Sequence, residues 1–248
     1  MNRARVAQAS ARSAPRTALV VTCEHASARV PITLRKRFAG ARELLASHRG
    51  YDAGALELAR RLAAVLRAPM LATTVTRLVV DTNRSLRHPR LFSEFTRDLD
   101  PAAARAVIER HWRRHRERVA AALEHARRRS GRVVHVACHS FTPVLDGVTR
   151  RVDLGVLFDP RRRFERRIAT QLRHALEARL PGVRIRFNQP YRGVSDGLTT
   201  ATRRGLADRV YAGIELELNQ AVAARPSRER VRWFVAITEA LAETLAVV

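Results

Sequence analysis

Lysine is almost absent: Lys36 is the only one in 248 residues, so the formal net charge of +24 is carried by arginine. A chain this basic attracts polyanions at low salt, because clustered cations displace counterions from a phosphate backbone. Aromatic residues are also scarce, at 5%, and the arginines are spread over most helical stretches instead of forming one stripe. The stacking platform and basic track of a nucleic-acid surface are therefore both missing. No specific nucleic-acid partner is expected; a non-enzymatic polyanion-binding protein on an inert scaffold is the alternative reading.

Cysteine is scarce too. Cys23 and Cys138 are the only two and both lie in apolar runs, which excludes a disulfide framework and fits a reducing, cytoplasmic setting. No stretch approaches the roughly 20 apolar residues of a membrane span. The first 16 residues, MNRARVAQASARSAPR, lack the apolar h-region of a secretory signal and read as a disordered basic tail. An apolar fraction of 46% gives the remainder, residues 17–248, enough core for one α/β domain.

What is present is alternation. Apolar β-branched runs at 17–23, 69–75, 77–83, 132–138, 152–158, 183–188 and 212–218 predict strands. Between them, apolar stripes at helical spacing over 55–66, 102–128, 164–179 and 228–247 predict helices. Ser-Gly at 130–131 and Pro-Gly at 181–182 mark helix ends, and RRRFERR at 161–167 is expected to be a solvated helix start. Strand and helix in alternation predict an α/β sheet covered on both faces.

In such a sheet ligands bind beyond the carboxyl ends of the strands. Polar residues collect there: Cys23-Glu24-His25, Asp81-Thr82-Asn83-Arg84, His139-Ser140, and Glu215 with Glu217 in IELELN. His25 and His139 each close an apolar strand, and neutral imidazole is a common metal ligand, so the pair suggests one metal. Glu215 and Glu217 share a strand face, which is costly unless they are catalytic or each pairs with an arginine. Asn83-Arg84 suits a bidentate grip on a carboxylate, with a loop cap by Asp81 or Asn83 as the bland alternative. Asp52 reads as a ligand or as the N-cap of a helix starting near Ala53. His111, His115 and His125 in an arginine-rich helix, and His88 and His174, are expected at the surface; HWRRH lacks the glutamate of the metalloprotease helix motif. A thiol hydrolase is the poorer reading: Cys23 is expected to share a strand face with His25, but Cys138 to face away from His139.

Taken in order, VVTCEHASARVP, HRGYDAGA, RLVVDTNRS, CHSFTP, DLGVLFD, NQPYRG and GIELELNQ resemble the N-formylglutamate amidohydrolase family over about residues 17 to 222. These deformylases release formate from an N-acylated acidic amino acid. The family is similar in fold to zinc carboxypeptidases and aspartoacylases, which implies a three-layer α/β/α body with a mixed, mostly parallel sheet and one zinc at the strand ends. The resemblance makes His25 the first ligand, His139 the last, Asn83 and Arg84 the holders of the substrate carboxylate, and Glu217 the general base, with Glu215 beside it. Where the carboxypeptidase pattern has a glutamate three residues after the first histidine, this chain has Ala28. The middle ligand then falls to Asp52, in GYDAG, or to Glu24. NQPYRG at 188–193 is expected to form a loop over the site, with Tyr191 and Arg192 reaching the substrate. The implied activity is zinc-dependent hydrolysis of a linear amide in a small anionic N-acyl amino acid, by a catalytic domain over 17–248. The same chemistry on a different N-acyl amino acid is the rival.

Overall fold

Six of the apolar runs form strands, because valine, isoleucine and leucine on both faces of a strand are best buried inside a helix-covered sheet. The computed structural model describes residues 17–248; the expected basic tail lies outside them. The strands are β1 (Thr17–Cys23), β2 (Met70–Ala72), β3 (Arg132–Phe141), β4 (Val144–Leu145), β5 (Val148–Thr149), β6 (Leu154–Leu157), β7 (Ile185–Phe187) and β8 (Tyr211–Asn219). The helices are α1 (Arg42–Ala46), α2 (Ala55–Leu66), α3 (Pro101–Val107), α4 (Arg114–Ser130), α5 (Arg163–Arg179), α6 (Leu198–Arg203), α7 (Gln220–Ala223) and α8 (Ser227–Ala246). A 3₁₀ segment covers Ile32–Phe38, and a π turn at Ile108–Arg113 joins α3 to α4.

The main sheet has the order β2-β1-β3-β8-β6-β7. Strands β2, β1, β3 and β8 are mutually parallel; β6 runs antiparallel to β8, and β7 parallel to β6. The sheet is thus mixed and mostly parallel, between two helix layers. Leu19, Val21 and Cys23 of β1, with Val136 and Leu216, pack against Leu58, Ile168, Leu172 and Ile237 of α2, α5 and α8. Val20, Val133 and Tyr211 point the other way, to Val119 and Leu123 of α4 and Leu198 of α6. This is the two-residue period of a strand buried on both faces.

Two expectations need correction. The run 77–83 is not a strand: Leu78, Val79 and Val80 are buried in a separate cluster with Leu34, Phe38, Leu91 and Val107. The backbone there closes turns, with the Val79 N–H on Thr76 O and the Arg84 N–H on Asp81 O, each at 3.0 Å. A short apolar run reports burial, and here the burial is under loops. RRRFERR does start a helix, at Arg163, but not a fully solvated one. Glu165 is fully buried and ion-paired to Arg203 at 2.9 Å and to Arg162 at 3.1 Å.

Because β1, β3 and β8 are parallel, their carboxyl ends share one edge of the sheet. His139 and Glu217 are register partners there, and Glu24-His25 follows directly on β1.

Candidate metal centre

β1 ends at Cys23 and the chain turns, so His25 does not continue the strand face of Cys23 as expected. Its ring instead approaches that of His139 edge-on, with centroids 5.1 Å apart. Between them sits Asp52. Its Oδ2 lies 3.2 Å from His25 Nδ1 and 3.0 Å from His139 Nδ1. The backbone fixes this meeting, since the Asp52 N–H donates to His25 O at 2.9 Å. The helix-cap reading of Asp52 does not hold: α2 is capped by Gly54, left-handed at φ 80°, with no side-chain cap. One donor atom from each of His25, Asp52 and His139 lies within 4.8 Å of the others, a buried group that could hold a metal ion.

Each imidazole carries a second carboxylate on its far nitrogen. His25 Nε2 is 2.8 Å from Asp81 Oδ1, and Asp81 Oδ2 is 2.8 Å from Arg77. His139 Nε2 is 3.1 Å from Glu24 Oε2, while Glu24 Oε1 is 3.4 Å from His115 Nε2. Outer carboxylates of this kind fix the ring orientation of metal-binding histidines and raise their basicity. Glu24, the second candidate for middle ligand, is therefore outside the group: it lies on the side of the His139 ring remote from Asp52.

The electrostatics follow from this crowding. Burial pushes the Asp52, Glu24 and Asp81 carboxyls up, but the neighbouring cations and hydrogen bonds outweigh it. His25 and His139 act on Asp52, His115 and His139 on Glu24, and Arg77 and His25 on Asp81; all three are held well below the usual carboxylate range. Burial pulls His139 down, yet Asp52 and Glu24 raise it well above an ordinary histidine. Three buried carboxylates around two imidazoles make a centre that calls for positive charge. Two nitrogens and one oxygen are a donor set that suits a divalent metal.

The centre opens into a cavity of about 830 Å³, also lined by Arg77, Asn83, Arg84, Tyr191, Arg192, Glu215 and Glu217. Glu217 pairs in register with His139 on one side and Gly155 on the other. A Cβ at Gly155 would fall 3.1 Å from Glu217 Cβ and 2.1 Å from Gln189 O, so glycine is needed for the loop to close there. Glu217 Oε2 is buried and has no hydrogen-bond partner among the described residues. Burial, partly offset by His139, pushes its carboxyl up to about 8. Glu215, in contrast, accepts a hydrogen bond from Thr199 Oγ1.

The Asn83 side chain accepts from the Leu198 N–H at 2.7 Å, and Arg84 Nη1 donates to Asp196 O at 2.8 Å. Trp112 Nε1 and Arg116 Nη2 both donate to Arg84 O, at 2.8 and 2.9 Å, so the π turn and the start of α4 hold this backbone from behind. The expected loop-cap role of Asp81 is also present, with the Asn83 N–H on Asp81 Oδ1 at 3.0 Å. In the loop 188–193, Asn188 Oδ1 accepts from the Phe158 and Gly193 N–H groups. Tyr191 accepts from Arg150 at 2.9 Å.

His115, expected at the surface, is buried against Glu24; its place on the apolar stripe with Val119, Leu123 and Ala126 was the signal. His88 is half-buried and lines the cavity. Arg77 carried no strand-end signal because it opens the apolar run 77–83 instead of closing one. Cys23 and Cys138 are buried, and burial pushes both thiols well above their ordinary range, which removes the thiolate a thiol hydrolase requires.

Residues 17–224 match the family model described as N-formylglutamate amidohydrolase. The chain belongs to that family. Among solved structures it is similar to the gene product Atu2144 from Agrobacterium tumefaciens, with 27% identity and a TM-score of 0.78, over 94% of this chain and 92% of the other. It shares its fold with an N-formylglutamate amidohydrolase from Ralstonia eutropha, with 19% identity and a TM-score of 0.63, over 95% and 94% of the two chains. No curated protein matches the sequence. As an N-formylglutamate amidohydrolase family member, the chain is a hydrolase of amide bonds with a small-molecule substrate. Among the described residues no helix is long and apolar enough to cross a membrane.

Proposed function

We propose that this family member is a zinc-dependent deformylase, cleaving the N-formyl or another N-acyl amide of an acidic amino acid such as N-formyl-L-glutamate. One observation carries the reading: His25 Nδ1, His139 Nδ1 and Asp52 Oδ2 converge in the cavity that Glu217 also lines, and its buried carboxylate oxygen has no partner among the described residues. A zinc ion held by His25, Asp52 and His139 would act as a Lewis acid, polarising the amide carbonyl and lowering the pKa of water to about 7.

The chain's own groups do the rest. Glu217 takes the proton of the attacking water and returns it to the leaving amine; a pKa lifted toward the operating pH suits a group that both accepts and gives. Asn83 and Arg84 hold the substrate carboxylate and so aim the amide at the metal centre. Arg77, fixed by Asp81 and Asp52 on the cavity wall, stabilises the developing oxyanion. Tyr191 and Arg192 take the remaining polar groups of the substrate, and Glu215 with Thr199 buttresses the strand beside Glu217. Residues 17–248 form the catalytic domain, and its two free, buried cysteines support work in the cytoplasm.

The test is amine release from N-formyl-L-glutamate. Treatment with a chelator is expected to abolish the activity, and zinc to restore it. Glu217→Gln is expected to retain metal while losing about 100-fold or more in kcat. Full activity after either change would overturn the proposal.

A further inference from the structure

The cavity is larger than one amino acid needs. At about 830 Å³ it stands in the upper part of the ~300–1,000 Å³ range that encloses drug-sized ligands, and a formylated monomer fills only a small part of it. Much of the remaining wall comes from the segment 84–100, which leads away from the Asn83-Arg84 clamp. It has no strand and no helix, yet it is firmly anchored. Ser93 Oγ donates to Leu78 O at 2.5 Å and Thr96 Oγ1 to the same carbonyl at 3.3 Å. Phe95 stacks on Phe38 with centroids 4.5 Å apart, and the Asp81 N–H closes onto Leu91 O at 2.8 Å. A wall held this way is preorganised for what it binds.

Its charges are unevenly used. Two acids of the segment are taken by arginines from outside it, Glu94 by Arg49 at 2.5 Å and Asp98 by Arg37 at 2.6 Å, and the third, Asp100, caps α3 through the Ala102 and Ala103 N–H groups. Among the described residues, neither Arg90 nor Arg97 has a carboxylate within ion-pair distance, and both are exposed and line the cavity. Two guanidiniums without a carboxylate partner among the described residues thus stand on a fixed wall beyond the carboxylate clamp, where they could meet further anionic groups.

Resting on the deformylase reading, we infer that the preferred substrate is an N-acylated acidic peptide, not an N-acylated monomer. An N-terminal glutamate keeps one carboxylate for Asn83 and Arg84 and continues through the other into a peptide chain. The following carboxylates lie against Arg90 and Arg97. The bond cleaved is unchanged: water adds to the formyl carbon, the C–N bond breaks, formate leaves, and the amine takes the proton.

The experiment compares N-formyl-L-glutamate with N-formyl-triglutamate, linked through either the α- or the γ-carboxyl, on the zinc-loaded full chain. The expected result is a higher kcat/KM for one triglutamate, through a lower KM, with a preference that shrinks as salt is raised. In the double variant Arg90→Gln/Arg97→Gln that preference is expected to fall about three- to tenfold, as for two partly exposed ion pairs. Equal or poorer turnover of both triglutamates, with N-formyl-L-glutamate still hydrolysed, overturns this inference and leaves the deformylase reading standing. A preference that survives in the double variant overturns the assignment to Arg90 and Arg97. No hydrolysis of any of the three overturns the deformylase reading and this inference with it.

Discussion

Glu24 and Asp52 differ in role because of what each imidazole nitrogen faces. Asp52 reaches both Nδ1 atoms with one oxygen, whereas Glu24 bridges His139 Nε2 and His115 Nε2. His115 then acts on the centre at one remove, by orienting the carboxylate that orients His139. His115→Gln is expected to weaken metal affinity by about tenfold, read by competition with a chromogenic chelator, while the circular dichroism spectrum stays unchanged. Unaltered affinity would reduce His115 to packing. The ligand histidines were legible as strand-end residues. His115 was hidden because helical charge density made it look solvated, although its stripe with Val119 and Leu123 is apolar.

At the scale of elements, β1, β3 and β8 present a polar face beneath α4 and α6. His135, two repeats of the pleat behind His139, donates and accepts between Thr22 Oγ1 and Tyr211 Oη, both at 2.9 Å. Burial is the main reason its pKa drops to about 4. Between pH 6.5 and 4 the unfolded chain therefore binds a proton that the folded chain refuses, and stability falls as the pH falls. The contribution is about 3 kcal/mol across that window. Urea unfolding at pH 7 and at pH 4.5 is expected to show a smaller acid loss in His135→Gln than in the parent chain; an equal loss would place the proton elsewhere. Most strands were legible because branched apolar runs buried on both faces leave few alternatives. The run 77–83 was not, since its burial comes largely from Leu34, Phe38 and Val107, residues far away in the sequence.

Over the whole molecule, the charge of +24 favours encounter with anionic substrates at low salt. Composition alone could not say where that charge is useful. Pairing decides it: Arg77 is committed to Asp81 and Asp52 at the centre, while Arg90 and Arg97, on the cavity wall, have no carboxylate partner among the described residues. The order of seven short motifs indicated the family, and the family model over residues 17–224 shows it. The middle ligand stayed open in the sequence because Asp52 lies in a turn, with no spacing rule tying it to either histidine.

The central claim is that His25, Asp52 and His139 hold one metal ion. It is tested most directly by elemental analysis of the purified chain beside the variants His25→Ala and His139→Ala, with folding checked by circular dichroism. The account predicts close to one equivalent of zinc in the parent chain and little in either variant. A folded His25→Ala or His139→Ala chain that keeps its full metal content would contradict it.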